Sequence, residues 1–116
     1  METPVTQAAE ASQWEIICNV SDLTPVIGSR VLLNDEQVAI FLVEDTVYAI
    51  SAIDPFTNAA VLSRGIAGDL NGELVVASPI YKQHFSLKTG QCLEDDSVAV
   101  KVFSVRVNKD LVELKK

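Results

Sequence analysis

Apolar residues in this chain fall in short runs separated by turn-forming residues, and the runs alternate more often than they repeat at helical spacing. Trp14-Glu15-Ile16-Ile17-Cys18 reads as a first strand. Ser21 to Pro25 follows as a turn or single helical turn, with Ser21 or Asp22 able to cap it. Ser29–Leu33 and Gln37–Val43 read as strands joined through Asn34-Asp35-Glu36, and Glu44-Asp45 turns the chain into Thr46–Ile50. The clearest hairpin spans Gly68–Val76, where Asn71-Gly72 suits the positive φ angles of a type I′ turn. Another turns at Lys88-Thr89-Gly90 between Phe85–Leu87 and Gln91–Leu93. Val98–Val107 and Leu111–Leu114 form a last pair around Asn108-Lys109-Asp110, with Val105, Val107 and Leu111 at period two and Arg106 and Asn108 between them. Strands this short, with turn signals this frequent, predict an all-β antiparallel sandwich or barrel. Residues 51–65 and 77–84 lack strand pattern and form its irregular end, where loops on a rigid sheet tend to carry binding.

Composition narrows the possibilities. A chain of 116 residues, 48 % hydrophobic, suffices for one domain with a core of its own. A net charge of −7 argues against nucleic acid and anionic membrane surfaces as partners. No apolar run approaches the roughly 20 residues of a membrane span. The opening METPVTQAAEAS lacks the basic and apolar regions of a secretory signal. Residues 1–12 are expected to form a mobile polar tail before a domain over 13–116. Two cysteines without paired spacing fit a reducing cytoplasm.

Candidate chemistry is sparse. His84 stands alone, with no Ser, Cys or carboxylate set beside it by a catalytic motif, and reads as a surface or loop histidine. Cys18 and Cys92 lie within apolar strand patterns and read as buried thiols. Glu94-Asp95-Asp96 lacks the alternation of a calcium loop and reads as a solvated acidic loop able to meet a basic partner. Asp54-Pro55-Phe56 and Ser78-Pro79-Ile80-Tyr81 leave two readings open. Phe56, Ile80 and Tyr81 are either core fillers beneath the loops or apolar groups at a stiff, exposed apex that docks a partner. No phosphate loop, nucleophile elbow, zinc motif or dinucleotide fingerprint is present.

The segments AISAIDPFTNAAVLSRG (Ala49–Gly65) and VVASPIYKQHFSLKTG (Val75–Gly90) resemble the two cluster-binding loops of a Rieske iron–sulfur domain with the ligands replaced. Rieske loops carry a Cys-x-His and a Cys-x-x-His pair, two sulfurs on one iron and two imidazoles on the other. Asp54 and Phe56 stand at the first pair of positions, Ser78 and Tyr81 at the second. The count of donors agrees, since two cysteines and one histidine cannot fill four ligand sites.

The fuller set of words, Asp-Pro-Phe, Val-Leu-Ser-Arg-Gly-Ile-Ala-Gly-Asp and Phe-Ser-Leu-Lys-Thr-Gly-Gln-Cys-Leu, resembles the small-subunit family of bacterial NAD(P)H-dependent nitrite reductases from about Trp14 onward. That resemblance implies a Rieske-like β-sandwich with two apical loops, and no cofactor, metal or catalytic residue in this chain. It implies a large-subunit partner carrying FAD, sirohaem and a 4Fe–4S cluster, which reduces nitrite to ammonium in the cytoplasm. Phe56, Ile80 and Tyr81 become the candidate docking residues. The alternatives are a Rieske-type electron-transfer ferredoxin, which fails the ligand count, and a free-standing protein-binding module of another oxidoreductase system.

Overall fold

The computed structural model describes residues 13–80 and 82–115, so the tail expected over residues 1–12 and the loop residue Tyr81 lie outside the described residues. Nine strands are present among the described residues: β1 (Trp14–Asn19), β2 (Ser29–Leu33), β3 (Glu36–Val43), β4 (Thr46–Ser51), β5 (Ala67–Leu70), β6 (Glu73–Ala77), β7 (His84–Ser86), β8 (Val105–Asn108) and β9 (Leu111–Lys115). They form three antiparallel sheets of three strands, in the orders β1-β9-β8, β2-β3-β4 and β5-β6-β7.

Two-residue turns close four of the hairpins. Asn34-Asp35, Glu44-Asp45, Asn71-Gly72 and Lys109-Asp110 all have positive φ at both positions. Such turns match the twist of the strands they join, and Asn, Asp and Gly adopt them at least cost. Glu44 and Lys109 have no such preference, so the register of their flanking strands imposes the conformation. The first of these hairpins is one residue tighter than the expected Asn34-Asp35-Glu36 turn, because Glu36 already pairs with Leu33.

The β2-β3-β4 sheet is the central layer. One of its faces, with Ala39, Phe41, Val43, Ile50 and Ala52, packs on Leu62, Val76, Phe85, Leu87 and Cys92 of the loop-bearing half. The other, with Val38, Ile40, Val47 and Ala49, packs on Phe103, Val112 and Leu114. Both faces being covered, the run Val38–Val43 has to be apolar at every position rather than at alternate ones.

Four expectations are corrected. The helical turn is a 3₁₀ turn over Val20–Asp22 capped from Asn19, whose amide donates to Asp22 Oδ2 at 3.1 Å. Residues 98–104 are not a strand. They make single bridges to different partners, Ala99 to Gln91 and Val102 to Ile50, because the segment crosses between sheets instead of running along one. Val107 is exposed despite its period-two position, since β8 is an edge strand with only β9 beside it. The Phe85–Leu93 hairpin is reduced to β7 and one bridge, Phe85 to Cys92.

Candidate functional site

Both irregular segments emerge from the loop-bearing half, and they are built by one device. In each, a polar residue precedes a proline, which fixes φ and pre-sets a turn. Asp54 Oδ1 accepts from the Phe56 amide at 2.8 Å, and Ser78 Oγ accepts from the Ile80 amide at 3.3 Å. The carbonyl of that first residue then accepts an amide four positions on, from Asn58 to Asp54 at 2.7 Å and from Lys82 to Ser78 at 2.9 Å. Asn58 and Lys82 both have positive φ. Finally the first residue's own amide closes the loop by donating to the carbonyl five positions on, Asp54 to Ala59 at 2.9 Å and Ser78 to Gln83 at 2.8 Å. Asp54–Ala59 and Ser78–Gln83 are therefore equivalent turns, with Phe56 and Ile80 at matching positions.

The side chains of the two leading residues join these turns. Ser78 Oγ donates to Asp54 Oδ2 at 2.5 Å, and both residues are fully buried. Burial without a partner would be costly for either group, and the bond satisfies both. Phe56 and Ile80 turn partly outward, exposed by 37 % and 48 %. The Phe56 ring lies 6.3 Å from that of Phe85, so the same side chain is anchored in the core and open to solvent. Phe56 and Ile80 thus occupy the apex as both open readings allow, part filler and part surface. Gln83 Oε1, at the end of the second turn, is buried with no hydrogen-bond partner.

Beside the second turn is a contact missed in the sequence. Glu94 accepts from the His84 amide at 2.8 Å and meets His84 Nδ1 at 2.6 Å. His84 is therefore not the isolated histidine expected, and Glu94 is not a free member of an acidic loop. Partial burial works to raise the Glu94 carboxyl, but the His84 amide and ring outweigh it and hold its pKa below the ordinary value. Asp95 is likewise engaged, accepting from the Ser97 amide and hydroxyl, which lowers its pKa. The pairing of Leu93 with the His84 carbonyl brings the two segments together, and nothing in the local spacing announces it. Cys92 is buried and Cys18 half-buried, both free, and burial pushes both thiols above their ordinary pKa.

A 2Fe–2S Rieske cluster needs two thiolates and two imidazoles at these loops. Asp54 and Ser78 spend their side chains on each other, and Phe56 offers no donor atom. His84 is turned to Glu94, Cys92 sits beneath the loops opposite Phe85, and Cys18 is on β1. These residues do not fit the cluster.

Residues 13–115 match the model of the Rieske-like [2Fe-2S] domain family. The chain is 49 % identical over 106 residues to the nitrite reductase (NADH) small subunit of Escherichia coli K12, covering 90 % of this chain and 98 % of that one. The NMR structure of the Escherichia coli protein NirD superposes with a TM-score of 0.83 at 48 % identity, over 90 % of this chain and 96 % of that one. The chain is also 35 % identical over 105 residues to part of the nitrite reductase [NAD(P)H] large subunit of Klebsiella oxytoca, 90 % of this chain but only 11 % of that protein.

Proposed function

The chain belongs to the Rieske-like domain family, among the nitrite reductase (NADH) small subunits, and from that membership we propose that it serves as the accessory subunit of such an enzyme without a redox centre of its own. The observation that carries this reading is the Asp54–Ser78 bond, a polar tie between the two loops at positions where Rieske domains hold metal. The tie keeps both turns in place with no cluster, which leaves the loop scaffold to present Phe56 and Ile80 to a partner.

That partner is the large subunit of nitrite reductase. In Klebsiella oxytoca a segment similar to this chain lies within a nitrite reductase [NAD(P)H] large subunit, which supports that choice of partner. Electron transfer, FAD, sirohaem and the 4Fe–4S cluster belong on this reading to the large subunit, where NAD(P)H reduces nitrite to ammonium in the cytoplasm. The described residues contain no helix long and apolar enough to cross a membrane. The small subunit alone is inactive and acts by holding or ordering the large one.

The test is reconstitution with the purified large subunit. The chain should bind it and raise NAD(P)H-dependent nitrite reduction, while holding no stoichiometric iron after anaerobic loading with iron and sulfide. Phe56→Asp and Ile80→Asp should each weaken association by about tenfold or more, since partly buried apolar anchors concentrate interface energy. A Rieske-type spectrum with two irons per chain would return the domain to the electron-transfer class.

A further inference from the structure

The apex is not the whole of the exposed apolar surface. Val26, Ile27 and Ile66 are all exposed, Ile66 by 64 %. Ile27 and Ile66 oppose each other in an antiparallel bridge, and the Ala67 amide donates to the Val26 carbonyl at 2.7 Å. Directly opposed residues of such a pair carry their side chains on one face, about 5 Å apart at Cβ. The two isoleucines therefore form a single apolar patch.

The patch sits on a tightly built seam. A Cβ at Gly28 would lie 2.3 Å from the Ser63 carbonyl oxygen, and one at Gly65 would lie 2.5 Å from Val76 Cγ2 and 2.7 Å from the Ala77 oxygen. Glycine at both positions lets the chains touch, so Ile27 and Ile66 are presented by fixed backbone. A preordered apolar surface loses little entropy on binding. Val26 adds strain, with φ at +61° in a β-branched residue that avoids this region. Such outliers persist where the surrounding structure over-determines them, and they cluster at functional sites. Arg64, exposed beside Ile66 and without an ion-pair partner among the described residues, is a cation in a chain of net charge −7. Arginine is among the residues enriched at interfaces.

We propose that the Ile27–Ile66 seam, with Val26 and Arg64, docks the large subunit of nitrite reductase and carries the contact from the apex down the side of the domain. This rests on the accessory-subunit reading above. The seam begins where the first apical segment ends, and a Cβ at Gly65 would lie 2.7 Å from the oxygen of Ala77, the residue before Ser78, so the backbone of the seam adjoins the root of the second apical turn. Two apical tips are too little for a specific complex, since stable interfaces bury about 800 Å² per partner. The seam supplies further apolar area next to them. The large subunit is the occupant because a homologous segment is part of that protein in Klebsiella oxytoca, which makes it the neighbour this fold has there. Ile16, exposed by 58 % on β1 of another sheet, has no such setting and serves as a control.

The experiment titrates the full chain against the purified large subunit. Ile27→Glu and Ile66→Glu should each weaken binding at least tenfold, and Arg64→Glu severalfold, while Ile16→Glu binds as the unmodified chain does. Unfolding curves of each variant verify the fold, and Arg64→Glu alters only an exposed polar side chain, so it decides the matter should an isoleucine variant misfold. If the unmodified chain binds and the seam variants bind equally well, the seam is overturned and the accessory-subunit reading stands. If the unmodified chain does not bind at all, that reading falls and takes the seam with it. Loss of self-association in Ile66→Glu, with large-subunit affinity unchanged, would assign the seam to a second copy and overturn the proposal.

Discussion

The half of the molecule between β2-β3-β4 and β1-β9-β8 and the half that carries the apical turns are held by different forces. In the first, Val38, Ile40, Val47, Phe103, Val112 and Leu114 interlock by apolar contact, and the ion pair of Arg106 Nε with the buried Glu113 carboxylate, at 2.6 Å, joins only the neighbouring strands β8 and β9. In the second, the apolar cluster around Phe41 and Phe85 supports two turns whose leading residues are joined by one buried polar contact, Ser78 to Asp54. Apolar burial is non-directional and spread over many atoms, so it accepts changes of shape at conserved volume. A buried polar bond is all or none, because removing one partner strands the other. The difference suits a domain whose body needs only to be stable and whose tip needs a defined geometry.

The largest expected effect is on the body beneath the turns. Phe41→Ala removes a fully buried ring and should cost about 3–5 kcal/mol, read as a lower urea midpoint at unchanged slope. The apex comes next. Ser78→Ala and Asp54→Ala should each cost roughly 1–3 kcal/mol, and the double variant should cost clearly less than their sum, since neither polar group is then left unsatisfied. Strict additivity in that cycle would remove the contrast between the two halves. Alkylation gives a further reading, with Cys92 expected to resist thiol reagents until the domain unfolds, because the thiolate is the reactive form and burial disfavours it.

The smallest effect is the pH dependence of the His84–Glu94 contact. The Glu94 pKa is lower in the folded protein than in the unfolded chain, so its contribution is present above the ordinary carboxylate pKa and fades as pH falls through the lower, folded value. The Glu94 side chain is 46 % exposed, so screening limits the contribution to a few tenths of a kcal/mol. Denaturation of the unmodified chain and of Glu94→Gln should differ slightly at neutral pH and converge in acid. A difference that grows in acid would show the contact to be wrongly described.

The strands and their turns were largely legible in the sequence. Asn71-Gly72 declares a type I′ hairpin by conformational preference alone, and Trp14–Cys18 and Thr46–Ile50 stand out as apolar runs between breakers. The missing thiolate and imidazole donors at the loops were legible too, because donor chemistry is a property of residue type. The shared polar-Pro-apolar order of Asp54-Pro55-Phe56 and Ser78-Pro79-Ile80 marks equivalent turns only once their hydrogen bonds are seen. What tertiary structure decided was pairing at a distance. Nothing local tells Ser78 that its partner is Asp54, His84 that it meets Glu94, or Ile27 that it lies opposite Ile66. Nor does local pattern tell Val98–Ser104 to cross between sheets or leave Val107 on an edge. Period and turn chemistry act over a few residues and can be read along the chain, whereas burial and hydrogen-bond satisfaction depend on which segments the folded chain brings together.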